Sequence, residues 1–548
     1  MRDGHGLAAD IYLPAGPGPW PVVLIQTPYD KGRFAEFILD PDSVDPLLTN
    51  QDYALVVLDW RGHFDSSAAA YEGSPTLGED GHDAVEWTAG QPWSNGSVGL
   101  WGGSALGYVQ WATAAEQPPH LRACVPIVSH WRLWYELHYR GGVYCRNRNA
   151  VVEFWFNGTN VFRQHPLYDG FWQWLETVSA PVDHINVPML HVTGWYDHKQ
   201  DLSIREMHRL QVQGGEGARG LQKLLIGPWT HRFVGRRVQG ELEYAAAVHA
   251  ASQAAVELFD YYLRGVDNNY PSRPTVEYFR MNADQWVASA MWPPSELSAQ
   301  TFYLTTAESL DPEASDSADA PVEFVADPVD PVPTVFGAVL TEEHGIPGPG
   351  DLREIEARAD VRTFTTLPMI DPLYIEGRPV AYLWIECDAA DTDVAVRLTQ
   401  VYPDGRSMLL VDGIRRASLR NGVSAREFLD PDTPYLIRVD LPSVAVMIPP
   451  EHALRISVSP SNHDRFDVNM QDGTSLSDED GATPTIATVR VLVDAEHPSR
   501  IELPVASVTA VCNADGVCQE DEDCSTCPRD CIGEPPGCDK RHVRAARR

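Results

Sequence analysis

Short apolar runs that alternate with helical segments over roughly the first 265 residues constrain this chain more than any other feature. Pro21-Val-Val-Leu-Ile-Gln-Thr27, Tyr53-Ala-Leu-Val-Val-Leu-Asp59, Val98-Gly-Leu-Trp-Gly102 and Ala123-Cys-Val-Pro-Ile-Val128 are short and nearly continuous in their apolar character. Runs of this kind fit parallel strands buried on both faces. The patterns between them, such as Asp80-Gly-His-Asp-Ala-Val-Glu-Trp87, fit crossover helices. The style returns at Val187-Pro-Met-Leu-His-Val-Thr193 and Gln222-Lys-Leu-Leu-Ile-Gly227, and a helical stretch near 250–265 closes this half. The expectation is a doubly wound α/β domain made of residues 1–128 and 187–268.

Residues 129–186 break the alternation and are crowded with aromatic side chains, among them Trp131, Trp134, Trp155, Phe156 and Trp172. An aromatic insert in such a sheet suits a cap over a substrate pocket, which makes these five candidate substrate-binding residues. A small satellite core packed on the sheet is the competing reading. After Gly265 helical periodicity fades and short alternating runs appear, such as Val380-Ala-Tyr-Leu-Trp-Ile-Glu386 and Leu454-Arg-Ile-Ser-Val-Ser459. This predicts an all-β domain of jelly-roll type over 269–506, interrupted by an acidic, proline-rich loop from Asp311 to Pro333. A chain of 548 residues is too long for one core, so two or three domains are expected.

Gly102-Gly-Ser104-Ala-Leu-Gly107 follows an apolar strand and opens an alanine-rich helical stretch. That is the setting of a nucleophile elbow, in which the glycines allow a sharp strand-to-helix turn that lifts the serine hydroxyl clear of the sheet. The Ala105 N–H then faces a developing oxyanion from the helix start. A serine that merely caps the helix is the competing reading. In an α/β-hydrolase the acid and the histidine follow the serine in that order, at the ends of later strands. Asp197, in Gly194-Trp-Tyr-Asp197, and His231, in Gly227-Pro-Trp-Thr-His231, stand at those places. His184, His191 and His198 compete with His231 but fit the order and placement less well.

The pieces resemble the family of cocaine esterase, glutaryl acylase and Xaa-Pro dipeptidyl-peptidase. The matching motifs are Thr27-Pro-Tyr-Asp-Lys31, Asp59-Trp-Arg-Gly62, Trp101-Gly-Gly-Ser104, Gly194-Trp-Tyr-Asp197 and Gly227-Pro-Trp-Thr-His231. In the β half they are Asp351-Leu-Arg-Glu-Ile-Glu-Ala-Arg358, Asp391-Thr-Asp393, Val401-Tyr-Pro-Asp-Gly405 and Ser459-Pro-Ser-Asn462, so the resemblance spans about 1–505. It implies that Tyr29 gives its hydroxyl to the oxyanion hole beside the Ala105 amide. It also implies that the β half is the C-terminal domain of the Xaa-Pro dipeptidyl-peptidases. Three departures stand out: relatives usually have Tyr at the place of Ala105, the cap insert is shorter than in many of them, and they begin with an extra strand before Arg2-Asp-Gly4.

The expected reaction is acyl transfer from an ester or amide to water through Ser104, with no metal or organic cofactor. An Xaa-Pro dipeptidyl-peptidase is the alternative and would need carboxylates for the substrate ammonium, Glu136 or Glu153 being candidates. A non-catalytic carbohydrate-binding protein is a further alternative, opposed by the intact Ser–Asp–His order. The substrate is expected to be a small molecule or short peptide. A net charge of −35 argues against nucleic acid and anionic membranes, and no run of about 20 apolar residues offers a spanning helix.

Six of nine cysteines crowd into the tail 507–548: Cys512, Cys518, Cys524, Cys527, Cys531 and Cys538. They read as a disulfide module of fifteen possible pairings. Zinc on Cys524-x2-Cys527 is the rival, weakened by the lack of a partner Cys-x2-Cys or His pair. The tail points to an oxidising, extracytoplasmic setting. Met1-Arg-Asp-Gly4 has no apolar core like that of a signal peptide, which leaves a cytoplasmic protein, or a chain lacking its true start, as the alternatives.

Overall fold

The computed structural model describes residues 1–506 apart from 40–44, 70–72, 74, 157–159, 180, 474, 475 and 477–481. The cysteine-rich tail therefore lies outside the described residues.

The first half is built on one nine-stranded sheet. Its strands, in chain order, are β1 (Ala9–Tyr12), β2 (Trp20–Thr27), β3 (Ala54–Asp59), β4 (Ser94–Gly103) and β5 (Leu121–Ile127), then β6 (Leu190–Tyr196), β7 (Lys223–Thr230), β8 (Val276–Arg280) and β9 (Gln285–Ser289). Their spatial order is β1-β3-β2-β4-β5-β6-β7-β8-β9. The pairs from β3 through β8 are parallel, and the edge strands β1 and β9 are antiparallel. The continuous apolar runs follow from this layering, because alternate side chains enter different cores. Val23, Ile25 and Val57 pack with α6 (Ala250–Arg264), through Ala254, Leu258 and Phe259. Val22, Leu24 and Val56 pack with α1 (Leu77–Ala89) and α2 (Ala105–Ala115), through Val85 and Trp111. A reciprocal Thr76–Glu79 capping box starts α1.

Sheet membership does not break at the expected boundary of 268. β8 and β9 lie beyond it yet extend the hydrolase sheet past β7. Right after β8 the Met281 backbone hooks onto the strand Val444–Ile448, its N–H donating to Ala445 O and its carbonyl accepting from Met447. The remaining chain is β-rich. One sheet has nine strands, and a second has four, ordered Arg362–Thr365, Ala453–Ser459, Asp393–Val401, Ser407–Arg416. The acidic segment expected to be loop from Asp311 to Pro333 contains the strand Val322–Ala326, paired with Ala487–Leu492. Its side chains alternate between buried Val322, Phe324 and Ala326 and outward-facing Glu323 and Val325, so the acidic composition around it hid a two-residue period.

The insert contains α3 (Arg146–Phe156) and α4 (Gly170–Val178) and rests on the β-rich half. Arg163 pairs with Asp467 (3.0 Å), and the Tyr168 N–H donates to Val423 O (2.8 Å). Buried polar anchors hold the landing surface. Arg416 grips Asp393 through two hydrogen bonds (2.8 and 3.0 Å), while Asp391 accepts from Ser418 and Arg426. These contacts give the Asp391-Thr-Asp393 motif its structural work.

Candidate active site

Ser104 sits between β4 and α2 at φ 57°, ψ −114°, a conformation that costs a non-glycine residue about 1–3 kcal/mol. Two glycines make the turn possible. A Cβ on Gly102, itself at φ 145°, would stand 2.6 Å from the Leu106 Cβ, and one on Gly107 would stand 2.5 Å from the Ser129 Cβ. The Ser104 N–H donates to Ile127 O on β5, which ties the turn to the sheet. The Ser104 carbonyl accepts from Gly107 and Tyr108, and the Ala105 N–H, at the first helical position, has no acceptor within the helix.

The loops after β6 and β7 bring two partners to the serine. His231 Nε2 lies 2.9 Å from Ser104 Oγ, and His231 Nδ1 lies 2.8 Å from Asp197 Oδ1. The other carboxylate oxygen accepts from Thr193 Oγ1 (3.1 Å), and Oδ1 also accepts the Lys199 N–H (3.2 Å). Asp197 and His231 are buried, and Ser104 is half-buried. Burial lowers the His231 pKa and Asp197 opposes it, while the cations of Lys199 and Arg148 lower it further. A hydroxyl aimed at a neutral imidazole that is backed by a carboxylate can lose its proton as it attacks a carbonyl.

The β-rich half braces the acid loop. Gln200 Nε2 donates to Ser443 O (2.7 Å), and Asp201 accepts from the Ser443 N–H and hydroxyl. Neither Thr193 nor these braces carries a spacing that marks it in the sequence.

Tyr29 follows β2 in a turn held by its N–H to Thr27 Oγ1 (3.0 Å) and by the Lys31 N–H to buried Asp59 (2.8 Å). Its phenol reaches the Ser104 hydroxyl. Burial pushes its pKa up to about 12, so at neutral pH it remains protonated and able to donate.

The five aromatics part company. The rings of Trp155 and Phe156 lie against Tyr29, at 5.2 and 6.3 Å between centroids, and are partly exposed. Trp172 and Trp131 correct the expectation of substrate contact. Trp172 is fully buried among Tyr135, Tyr139 and Tyr144 in the insert's own core, and Trp131 is buried against the sheet with Trp111 and Met189. Trp134 stacks between Arg132 and Arg205 and lines a 410 Å³ cavity whose lining contains none of Ser104, Asp197 and His231. The insert thus holds a satellite core, and Trp155 and Phe156 lie outside it, against Tyr29.

The rival histidines are placed as follows. His191 is buried against Trp111 and bonded to Gln222, burial lowering its pKa to about 4. His184 is exposed at the end of the short 3-10 helix Val182–His184. His198 is nearer, its ring 4.5 Å from that of His231 and its Nδ1 3.5 Å from Asp197 Oδ1, but only His231 reaches the serine. Asp197, His198 and His231 lie close enough together to interest a metal ion. Burial above all, then His231 and the cations of Lys199, Arg148 and Arg465, hold the His198 imidazole well below its ordinary pKa. Among the described residues, no helix is long and apolar enough to cross a membrane.

The chain is similar to known proteins. A family model described as X-Pro dipeptidyl-peptidase (S15 family) matches residues 3–155 and 154–232. A second, described as the X-Pro dipeptidyl-peptidase C-terminal non-catalytic domain, matches 268–502. Cocaine esterase of Rhodococcus sp. (strain MB1 Bresler) is 29% identical over 92% of this chain and 97% of its own length. The crystal structure of an aminopeptidase from the marine sediment archaeon Thaumarchaeota archaeon has a TM-score of 0.78 at 25% identity, covering 92% of this chain and 95% of its own. A selenomethionine-labelled α-amino acid ester hydrolase has a TM-score of 0.77 at 23% identity with the same coverage.

Proposed function

We propose, from the match to the S15 family model over its first half and the similarity to cocaine esterase, that the chain is a serine hydrolase acting on esters or amides, with Ser104 its nucleophile, His231 its general base and Asp197 the carboxylate that orients the imidazole. The observation that supports this best is the unbroken relay Ser104–His231–Asp197, at 2.9 and 2.8 Å, ending on a serine held in a strained turn.

Ser104 Oγ attacks the acyl carbon while its proton passes to His231 Nε2. The negative charge moves to the carbonyl oxygen, where the Tyr29 hydroxyl and the Ala105 N–H receive it. On collapse the bond to the leaving group breaks, and His231 returns the proton to that alcohol or amine. Water then attacks the acyl-enzyme by the same route and frees Ser104. Trp155 and Phe156, against Tyr29, form the apolar wall for the acyl chain.

An esterase or acylase fits better than a dipeptidyl-peptidase. The latter would hold a substrate ammonium, but Glu136 is spent on Arg205 (2.6 Å) and Glu153 accepts from Asn160 (3.5 Å). The two sheets of the β-rich half share one buried core, which supports reading them as a jelly roll. The tail we read as a disulfide module of an exported protein.

A fluorophosphonate probe tests the assignment. Wild-type protein is expected to be labelled at Ser104 and lose activity in step, while folded Ser104→Ala takes no label and turns nothing over. Labelling that survives in the alanine variant would falsify the nucleophile.

A further inference from the structure

The 410 Å³ cavity that Trp134 lines is walled by three parts of the chain: the insert, helix α5 (Gln200–Gln213) and the β-rich half. Small-molecule sites run to about 300–1,000 Å³, so the size suits a ligand. Its lining has no serine, cysteine, histidine or lysine, which suits a molecule that is held rather than transformed. Five arginines and four carboxylates line it, in a chain whose net charge is −35.

Two of the arginines are matched: Arg205 pairs with Glu136 (2.6 Å) and Arg438 with Asp440 (2.7 Å). The other three are not. Arg140 Nη1 and Arg378 Nη2 both lie 3.9 Å from one atom, Asp201 Oδ2, beyond hydrogen-bond reach, while Asp201 Oδ1 is taken by Ser443. Among the described residues Arg415 has no ion pair. Its Nη2 donates to the Leu419 and Arg420 carbonyls, and its Nε is buried without a partner. Asp440, the carboxylate that acts on it, is the one committed to Arg438. Glu176, the fourth acid, accepts from the Tyr135 N–H (3.0 Å) and the Tyr168 hydroxyl (3.1 Å) on the insert's wall. On the arginine side, three guanidiniums against the single carboxylate of Asp201 leave two positive charges partly out of water, which is costly unless an anion visits them.

Backbone contacts bring these arginines together. The hairpin of Tyr139–Arg140 and Val143–Tyr144 rests on the strand Ser407–Arg416, where the Arg416 N–H donates to Gly141 O (3.0 Å). Gly141 is at φ 56°, and a Cβ on it would collide with the Ile414 carbonyl oxygen, so the approach requires glycine. Arg140 and Arg415 flank that contact. Arg378 comes from a third segment, its Nε donating to Leu441 O (3.4 Å), one residue past Asp440. Much of the remaining lining is aromatic or apolar, with Trp134, Leu202, Val423 and the stacked rings of Tyr135 and Tyr139 (5.1 Å between centroids). We propose that this cavity is a second ligand site, taking an organic dianion, either a phosphate monoester or a dicarboxylate. Its charged group meets Arg140, Arg378 and Arg415, and its apolar body lies among the aromatic residues. The planar guanidinium fork suits both kinds of anion. The site stands independently of the Ser104 reading.

Isothermal titration calorimetry at about pH 8 and low salt tests this with phenyl phosphate and phenylmalonate, both dianions there, against phenyl sulfate, which has the shape of the first and one charge fewer. At least one dianion is expected to bind once per chain, at least about tenfold more tightly than phenyl sulfate. Which of them does so tells phosphate from dicarboxylate. Arg415→Met should weaken that binding at least about tenfold, and so should Arg378→Met, whose side chain is 47% exposed and can be lost without opening a core. Melting temperature reports that each variant is folded. Binding should persist in protein whose nucleophile a fluorophosphonate has blocked. The proposal is overturned if neither dianion binds at millimolar concentration, if phenyl sulfate binds as well as they do, or if either folded variant keeps the wild-type affinity. Loss of binding on blocking the nucleophile would place the ligand in the reaction site and overturn it too.

Discussion

His231 and Lys199 are tied to a single atom: the imidazole Nδ1 and the lysine backbone N–H both meet Asp197 Oδ1, at 2.8 and 3.2 Å. The base thus works beside a fixed cation as well as a carboxylate. Burial, Lys199 and Arg148 all disfavour the imidazolium, against Asp197, while the neighbouring His198 is itself driven neutral. On a neutral ester, kcat/KM is expected to rise with pH through a group below the ordinary histidine value of about 6.5 and then level off. Removing a nearby cation favours protonation, so Lys199→Met moves that rise to higher pH. A profile that is flat, or that shifts to lower pH in the variant, would count against His231 as the base.

His231→Ala and Asp197→Asn are expected to lower kcat by about 10⁴, because one loses the base and the other the tautomer it needs. Steady-state rates beside circular dichroism check this. Variants that stay folded and keep a tenth of the rate would remove these residues from the mechanism.

Tyr29→Phe deletes one oxygen. If its hydroxyl meets the oxyanion, kcat falls by about 10²–10³ with little change in KM. Near-normal kcat with a lower melting temperature would make Tyr29 a packing residue instead.

Gly102→Ala should damage the elbow, since its Cβ has to displace Leu106 at a backbone angle alanine resists. A loss of about 2 kcal/mol or more in a urea melt is expected. Gly103 provides the control: its Cβ would find its nearest atoms at 3.7 Å, so Gly103→Ala should be milder. Equal effects would mean that the clash is relieved without cost.

Cys124, Cys145 and Cys387 are free. With the six tail cysteines paired, a thiol titration of denatured, unreduced protein counts three. A count near nine would remove the disulfide module.

Part of this was legible from residues alone. Strand ends carry Ser104, Asp197 and His231 because a parallel sheet delivers its loops to one edge, so chain order was enough to single out three residues that the fold brings into one hydrogen-bonded series. The aromatics of the insert were harder. Composition shows that rings are plentiful but not which way they face, and Trp172 fills a small core while Trp155 reaches Tyr29. Lys199 was overlooked although it stands two places after the acid in Asp197-His-Lys199. No spacing rule marks a lysine, and only its place beside the relay in the folded chain makes it conspicuous. That β8 and β9 join the hydrolase sheet was not legible, because they are short strands whose texture matches the β-rich half.

Those two strands have a consequence for chimeras. Exchanging the β-rich halves of two relatives near residue 268 would strip β8 and β9 from the hydrolase sheet and turn β7, the strand that leads to His231, into a raw edge. Such an edge recruits strands from other molecules. A crossover at that point should yield aggregates rather than chimeric enzymes, whereas one after Ser289 leaves the nine-stranded sheet whole.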